Sequence, residues 1–265
     1  MKIEVLVPTM HRKDMQIAEK MNLQTDAIII NQTDTHGYEV KETDKGRIRF
    51  YSFAERGVGL SRNSALMRSD ADICVLADDD MVFHDGYEET VRKAFEDHPE
   101  ADVIIFNLDS TDGERRSNEK AFRVGLFNYM NYGAARVAFR RKAVTFRGVS
   151  FNLNFGGGTE FQCGEDTLFL RDCLKAGLCM VAVPQSLAVL VDDRPSTWFK
   201  GYTEKYLIDK GIVMKLAHPV LAELFCLYLT LTHPEYAKEH GGRKKVFELM
   251  WQGTRFVKNR KECPR

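Results

Sequence analysis

The sequence predicts an α/β protein, a mainly parallel sheet flanked by helices with a helical region at its C-terminal end. Three observations lead there. Short apolar runs alternate with helical patterns in the N-terminal part of the chain. The runs are apolar throughout, not at every second residue, as in strands covered on both faces. From Ser196 onward the pattern is mainly helical.

Taken in order, Ile3–Val7 reads as a strand and Asp14–Met21 as a helix. Ala27–Ile30 and Ile48–Phe53 are strands, Leu60–Met67 is a helix, and Ile73–Ala77 is a strand. Gly86–Asp97 is a helix and Val103–Phe106 a strand. Residues 109 to 120 are polar, as in an exposed loop, and Ala135–Phe139 is a strand. A helix starts at Glu165 and ends at Gly177. Met180–Val183 and Leu187–Val191 are strands.

Length and composition narrow the class. The 265 residues, 44% hydrophobic, suffice for one large domain or a main domain with an appendage. Zero formal net charge argues against an overall nucleic-acid-binding field. The opening segment is too short and charged for a signal peptide. The longest apolar stretch, Leu221 to Thr232, contains Glu223 and falls short of the roughly 20 residues that span a bilayer. The expectation is a soluble, cytoplasmic protein. No cysteines form a C-x-x-C pair, and they read as small buried hydrophobes in a reducing compartment.

Ligands of parallel sheets bind beyond the carboxyl ends of the strands. There the chain places Pro8, Thr9, Met10 and His11, then Asn31, Gln32 and Asp34, then Glu55 to Asn63, and finally Asp78, Asp79 and Asp80. Three adjacent carboxylates repel, and a divalent metal sharing phosphate oxygens would relieve them. Asp80 is the first ligand, with Asp78 nearer a ribose or also on the metal. A polar turn or helix cap is the plainer reading. Gly57 and Gly59 allow close backbone approach, and Arg56 or Arg62 suits a diphosphate. Solvated arginines in a loop would read the same. Glu165 and Asp166 are either acids favoured by a helix dipole or include a general base. The run Gly156-Gly157-Gly158 lacks the Gly-Lys-Ser/Thr of a P-loop. The histidines lack zinc spacing, and no G-x-S-x-G is present.

The order Val7-Pro8-Thr9, Asn31-Gln32, Arg56-Gly57 with Ser61-Arg62-Asn63, Asp78-Asp79-Asp80 and Glu165-Asp166 resembles family-2 glycosyltransferases of the GT-A fold, with its Rossmann-like sheet. Residues 1 to 195 carry the resemblance. Thr197-Trp198-Phe199 to Lys205-Tyr206 and Lys210-Gly211 also look like bacterial members that build surface polysaccharides. The resemblance implies an inverting transferase using a nucleotide sugar, often UDP-linked, with Mn2+ or Mg2+. Carried over by position, Pro8, Thr9 and Asn31 face the base and ribose, and Arg56 lies near the nucleotide. Asp78 and Asp79 bracket the ribose and sugar, Asp80 binds the metal, Asp166 is the base, and Glu165 binds acceptor. Many members place an aspartate where this chain has Asn31-Gln32; an amide can still bond uracil or ribose.

The domain expectation is 1–108 for nucleotide, 109–195 for acceptor and 196–265 as a helical extension. The tail from Lys238 interleaves Arg243, Lys244, Lys245, Arg255, Lys258, Arg260, Lys261 and Arg265 with apolar residues. It reads as an amphipathic helix with a solvated basic face, or as a peripheral contact to an anionic membrane carrying lipid-linked or glycan acceptors. Two alternatives remain: a sugar-phosphate nucleotidyltransferase, for which Pro8 to Lys13 is a poor phosphate loop, and a non-catalytic nucleotide-sugar-binding protein. Donor sugar, acceptor and oligomeric state are not legible.

Overall fold

The computed structural model describes residues 1–110, 117–191 and 201–259. Part of the predicted loop (111–116), the Thr197-Trp198-Phe199 motif, Cys263 and the tail cations Arg260, Lys261 and Arg265 lie outside them. The chain divides into two compact units, Met1–Phe151 with Phe169–Pro195, and Asn152–Leu168 with Ser196–Arg265. Residues 152–168 thus fold with the helical unit.

The first unit is built on one sheet: β1 (Ile3–Met10), β2 (Asp26–Gln32), β3 (Gly37–Glu42), β4 (Arg47–Phe53), β5 (Ile73–Leu76), β6 (Met81–Phe83), β7 (Val103–Ser110), β8 (Phe122–Arg123), β9 (Val137–Arg140) and β10 (Met180–Leu190). The order is β3-β4-β2-β1-β5-β9-β7-β10-β6, with β8 paired to β10. Strands β4, β2, β1 and β5 are mutually parallel, as is the β7–β10 pair. Strand β9 runs antiparallel to both β5 and β7, and β3 and β6 close the edges antiparallel. The sheet is therefore mixed where the sequence predicts a mainly parallel one. The missed edge strand β3 is exposed at every residue, so it lacks the apolar run that marks a buried strand. The two strands expected over 180–191 are one, β10, with register shifts around Ser186 beside Pro184.

Helices α1 (Gln16–Lys20), α2 (Val58–Arg68), α3 (Tyr87–Asp97) and α4 (Arg141–Phe146) each follow a strand, and α5 (Glu165–Lys175) precedes β10. Alternate residues feed two cores. Val5, Val7, Ile29 and Val75 join Ile17 of α1 and Val91 and Phe95 of α3. Leu6, Ile28, Ile30 and Leu76 join Ala65 and Leu66 of α2 and Phe169 and Cys173 of α5. Helix α5 stops at Gly177, whose φ is +79°, with Leu178 N–H donating to the Cys173 carbonyl at 3.0 Å. Cys74, Cys173 and Cys226 are buried free thiols, and burial pushes those of Cys74 and Cys226 up to about 12.

The second unit adds α6 (Glu204–Ala217), α7 (Ala222–Thr232), α8 (Pro234–Glu239) and α9 (Arg243–Asn259). Thr203 caps α6, accepting from the Tyr206 amide at 3.2 Å. Helices α6 and α9 touch backbone to backbone at two glycines. A Cβ on Gly211 would overlap the Met250 carbonyl, and one on Gly253 the Ile208 carbonyl. Gly211→Ala and Gly253→Ala should each cost about 1–3 kcal/mol or more, the range for overpacking a fixed contact. Urea unfolding checks this; wild-type midpoints for both would mean the helices can separate without loss.

Candidate active site

The parallel strands β1, β2, β4 and β5 end at one rim of the sheet. Thr9 is level with Asn31, and Asn31 with Ser52. Strand β5 leaves the core at Ala77 and turns through Asp78, Asp79 and Asp80 into β6. The turn is fixed along its backbone. Ala77 N–H donates to the Leu6 carbonyl at 3.1 Å, Met81 N–H to the Asp78 carbonyl at 3.3 Å, and Val191 N–H to the Asp80 carbonyl at 2.9 Å.

The acidic side chains diverge. Asp79 Oδ2 accepts from Thr9 Oγ1 at 2.6 Å and from Arg12 Nη2 at 2.8 Å. Arg12 Nε also donates to Thr9 Oγ1 at 3.2 Å, closing a triangle. Asp78 Oδ1 accepts from Arg62 Nη2 at 2.8 Å. Arg62 is 2% exposed, and its guanidinium lies 5.2 Å from the centre of the Phe151 ring. Phe151 is held in turn by Asn63, which exchanges two 2.8 Å bonds with its backbone. Asp80 is the exposed member of the three. Asp78 and Asp79 are thus half-buried and paired with Arg62 and Arg12, while Asp80 is exposed.

Two amides hold the loops above this layer. Asn31 is 1% exposed; it accepts from the Arg12 amide at 3.0 Å and donates to the Arg12 carbonyl at 2.9 Å and to Ser52 Oγ at 3.1 Å. The preceding residue, His11, takes φ of +52°, which turns the chain back so that Arg12 reaches Asp79. Gln32 Oε1 accepts from the Gly57 amide at 2.7 Å. Gly57, with φ of +120°, opens α2. Arg56 sits on the exposed rim, donating to the Thr33 and Glu55 carbonyls and to Asp34 Oδ1.

The structure thus brings a Thr9–Arg12–Asp79 triangle and an Arg62–Asp78 pair to one rim, with Asn31 holding the Arg12 backbone and Gln32 the Gly57 turn. Pro8 precedes Thr9 within β1, paired in register with Ile30. Glu165 and Asp166 open α5 and belong to the second unit. Within the chain Asp78 and Asp79 pair with arginines, where the sequence reading named Asp80 and Asp78 as metal ligands and Asp79 beside the ribose and sugar. Arg12, which the sequence treats only as part of a poor phosphate loop, is central. Only its spacing from Thr9, three residues on, hinted at this.

Among the described residues no group of three or more His, Cys, Asp or Glu side chains could hold a metal by itself. Exposed Asp80 and half-exposed Asp78 are oxygen donors of the kind hard divalent cations take.

Residues 27–157 match the family model described as Glycosyl transferase family 2. This stretch of the chain is similar to family-2 glycosyltransferases. The match covers Asn31, Gln32, Arg56, Gly57, Arg62 and the three aspartates, and ends before Glu165. No curated protein matches the chain. Among solved structures, S. aureus TarS 1–349 in complex with UDP-GlcNAc superposes with a TM-score of 0.63 at 15% identity, covering 93% of this chain and 82% of that one. S. aureus TarS 1–349 gives 0.61 at 13%, covering 100% and 93%. A longer S. aureus TarS structure gives 0.62 at 13%, covering 94% of this chain and 55% of its own. At these identities the likeness shows a shared GT-A fold, and the family match supports a glycosyltransferase.

At the rim, the Arg62–Asp78 pair joins a buried cation to a half-exposed anion. A double-mutant cycle of Arg62→Met and Asp78→Asn, read by urea unfolding, should give a coupling of about 1–3 kcal/mol. Additive effects would mean the pair carries no orientation energy.

Proposed function

We propose that the protein is an inverting, metal-dependent transferase that moves a sugar from a nucleoside diphosphate, with UDP as carrier, to an acceptor hydroxyl in surface-polysaccharide or glycoconjugate synthesis. One observation carries the reading: the Thr9–Arg12–Asp79 triangle and the Arg62–Asp78 pair at the strand ends, in a chain whose residues 27–157 are similar to family-2 glycosyltransferases. The UDP-GlcNAc held by the TarS structure supports a nucleotide-sugar donor. In this reading residues 1–108 take the nucleotide, 109–195 the acceptor, and 196–265 form the extension.

Pro8 and Thr9 border the base and ribose, while Asn31 and Gln32 act on that pocket through the loops they hold. Asp78 and Asp79 bracket the ribose and sugar, oriented by Arg62 and Arg12. Arg56 exchanges its exposed Asp34 contact for the departing diphosphate, where negative charge grows. Asp80, with Asp78, would hold Mn2+ or Mg2+ together with phosphate oxygens. Such a metal supplies Lewis-acid neutralisation of the leaving group when bound. Asp166 takes the proton from the acceptor hydroxyl as its oxygen attacks the anomeric carbon, and Glu165 binds the acceptor. The bond to the diphosphate breaks as the new glycosidic bond forms, through an oxocarbenium-like transition state.

Asp166→Asn should lower turnover of UDP-GlcNAc by about 10² to 10⁴-fold, the usual weight of a general base, with UDP affinity unchanged. Asp80→Ala should remove the Mn2+ dependence of UDP binding in calorimetric titration. Near wild-type transfer by the first variant, or an intact Mn2+ dependence in the second, contradicts the assignments.

Peripheral attachment to the inner membrane face is part of the proposal. No helix among the described residues is long and apolar enough to cross a membrane. Helix α7 leaves Leu224, Leu227, Tyr228 and Leu231 exposed at helical spacing and carries no charge after Glu223. An exposed apolar stripe in a unit with a basic tail supports interfacial binding. Co-sedimentation with anionic vesicles at low salt should be strong and fall with Leu224→Glu/Leu231→Glu. Absence of binding at low salt removes the idea.

A further inference from the structure

In the second unit the residues leading into Glu165 are gripped by α6. Asp209 is 2% exposed, and its Oδ2 accepts from the Gln162 amide at 2.9 Å. The same oxygen accepts from Lys205 Nζ at 2.8 Å, one turn earlier on α6. Lys205 Nζ also donates to the Glu160 carbonyl at 2.7 Å and lies 5.8 Å from the centre of the Phe161 ring. One ammonium group therefore holds Glu160 and also the carboxylate that holds Gln162.

One turn beyond Asp209, Val213 fills the space before Gly164. A Cβ on Gly164 would overlap the valine methyls, and its φ is +106°. The Gly164 carbonyl accepts the first helical bond of α5, from the Leu168 amide at 2.9 Å. Asp166 stands two residues on. Three positions of α6 at helical spacing, 205, 209 and 213, thus contact three consecutive stretches of the loop that ends in the acidic pair.

A buried carboxylate is costly unless paired and hydrogen-bonded. Apolar packing would hold a loop against a helix at less cost. An ion pair bonded to backbone adds direction, since each bond fixes a peptide orientation. A general base must stand within hydrogen-bond reach of its proton, and small misplacements cost much rate.

We infer that Lys205 and Asp209 are positioning residues of the transfer reaction: they fix the backbone from Glu160 to Gly164 and so aim the Asp166 carboxylate at the acceptor hydroxyl. The inference rests on the reading of Asp166 as the base. Neither residue touches substrate, and their effect passes through the N-terminal turn of α5.

The test uses the full chain with Asp209→Asn and Lys205→Met, and two readouts. Hydrogen–deuterium exchange without substrate should show faster exchange confined to residues 160–168 in both variants, with α7 and α9 as protected as in wild type. Steady-state turnover of UDP-GlcNAc with Mn2+ should show kcat lowered about 10- to 10²-fold at unchanged donor KM, and Lys205→Arg should recover most of it. Unchanged exchange at 160–168, loosening spread across the helical unit, or wild-type kcat in Asp209→Asn would each overturn the inference. A wild-type protein that turns over no nucleotide sugar would instead sink the proposed activity, while the exchange result still decides whether the clamp exists.

Discussion

Adjacent carboxylates at the end of a buried strand repel, by about 4 kcal/mol for two unit charges 4 Å apart near a protein surface. At Asp78 and Asp79 the fold answers with guanidinium groups delivered from fixed places. Arg62 comes from the first turns of α2, buried against Phe151. Arg12 comes from the loop after β1, bent back at His11 and locked by Asn31. Neither arginine could arrive without its support, so the β1–α1 loop, the Gly57 turn and the seat of Phe151 all depend on this charge pairing. The pairing also separates the roles of the three acids. Asp78 and Asp79 are oriented, while Asp80 is presented at the surface. A cation arriving with a diphosphate would meet a rim whose repulsion is already partly neutralised.

The helical unit solves a different problem. Its α6 and α9 approach at two glycines, which gives short interaxial distance and a rigid α6. That rigidity gives the Lys205–Asp209 pair a firm base from which to hold the loop before Glu165. The donor rim thus belongs to the sheet unit, and the acidic pair proposed for proton transfer belongs to the helical one.

Much of the sheet was legible because β1, β2, β5 and β7 are buried on both faces over most of their length and spell apolar runs, while β4 buries Ile48 and Phe50 at alternate positions. Strand β3 was not, since an exposed edge strand has no hydrophobic signal. Nor was β6, whose three residues are too few to show a period. The antiparallel insertion of β9 between β5 and β7 is a matter of topology that local pattern does not encode. At the site, the aspartate run and the Arg62 position were readable as charge after a strand. Arg12 was not, because a loop cation reveals its partner only once the chain has folded. The amides of Asn31 and Gln32 looked like ligand contacts by position; in the fold they bond the Arg12 backbone, Ser52 Oγ and the Gly57 amide, which local sequence does not reveal.

The most direct test is a crystal of the protein grown with UDP and Mn2+ and measured at the manganese absorption edge. The account predicts an anomalous peak between the UDP phosphates and Asp80, with Arg12–Asp79 and Arg62–Asp78 retained beneath it. A nucleotide bound elsewhere, or a peak on carboxylates away from this rim, would contradict it.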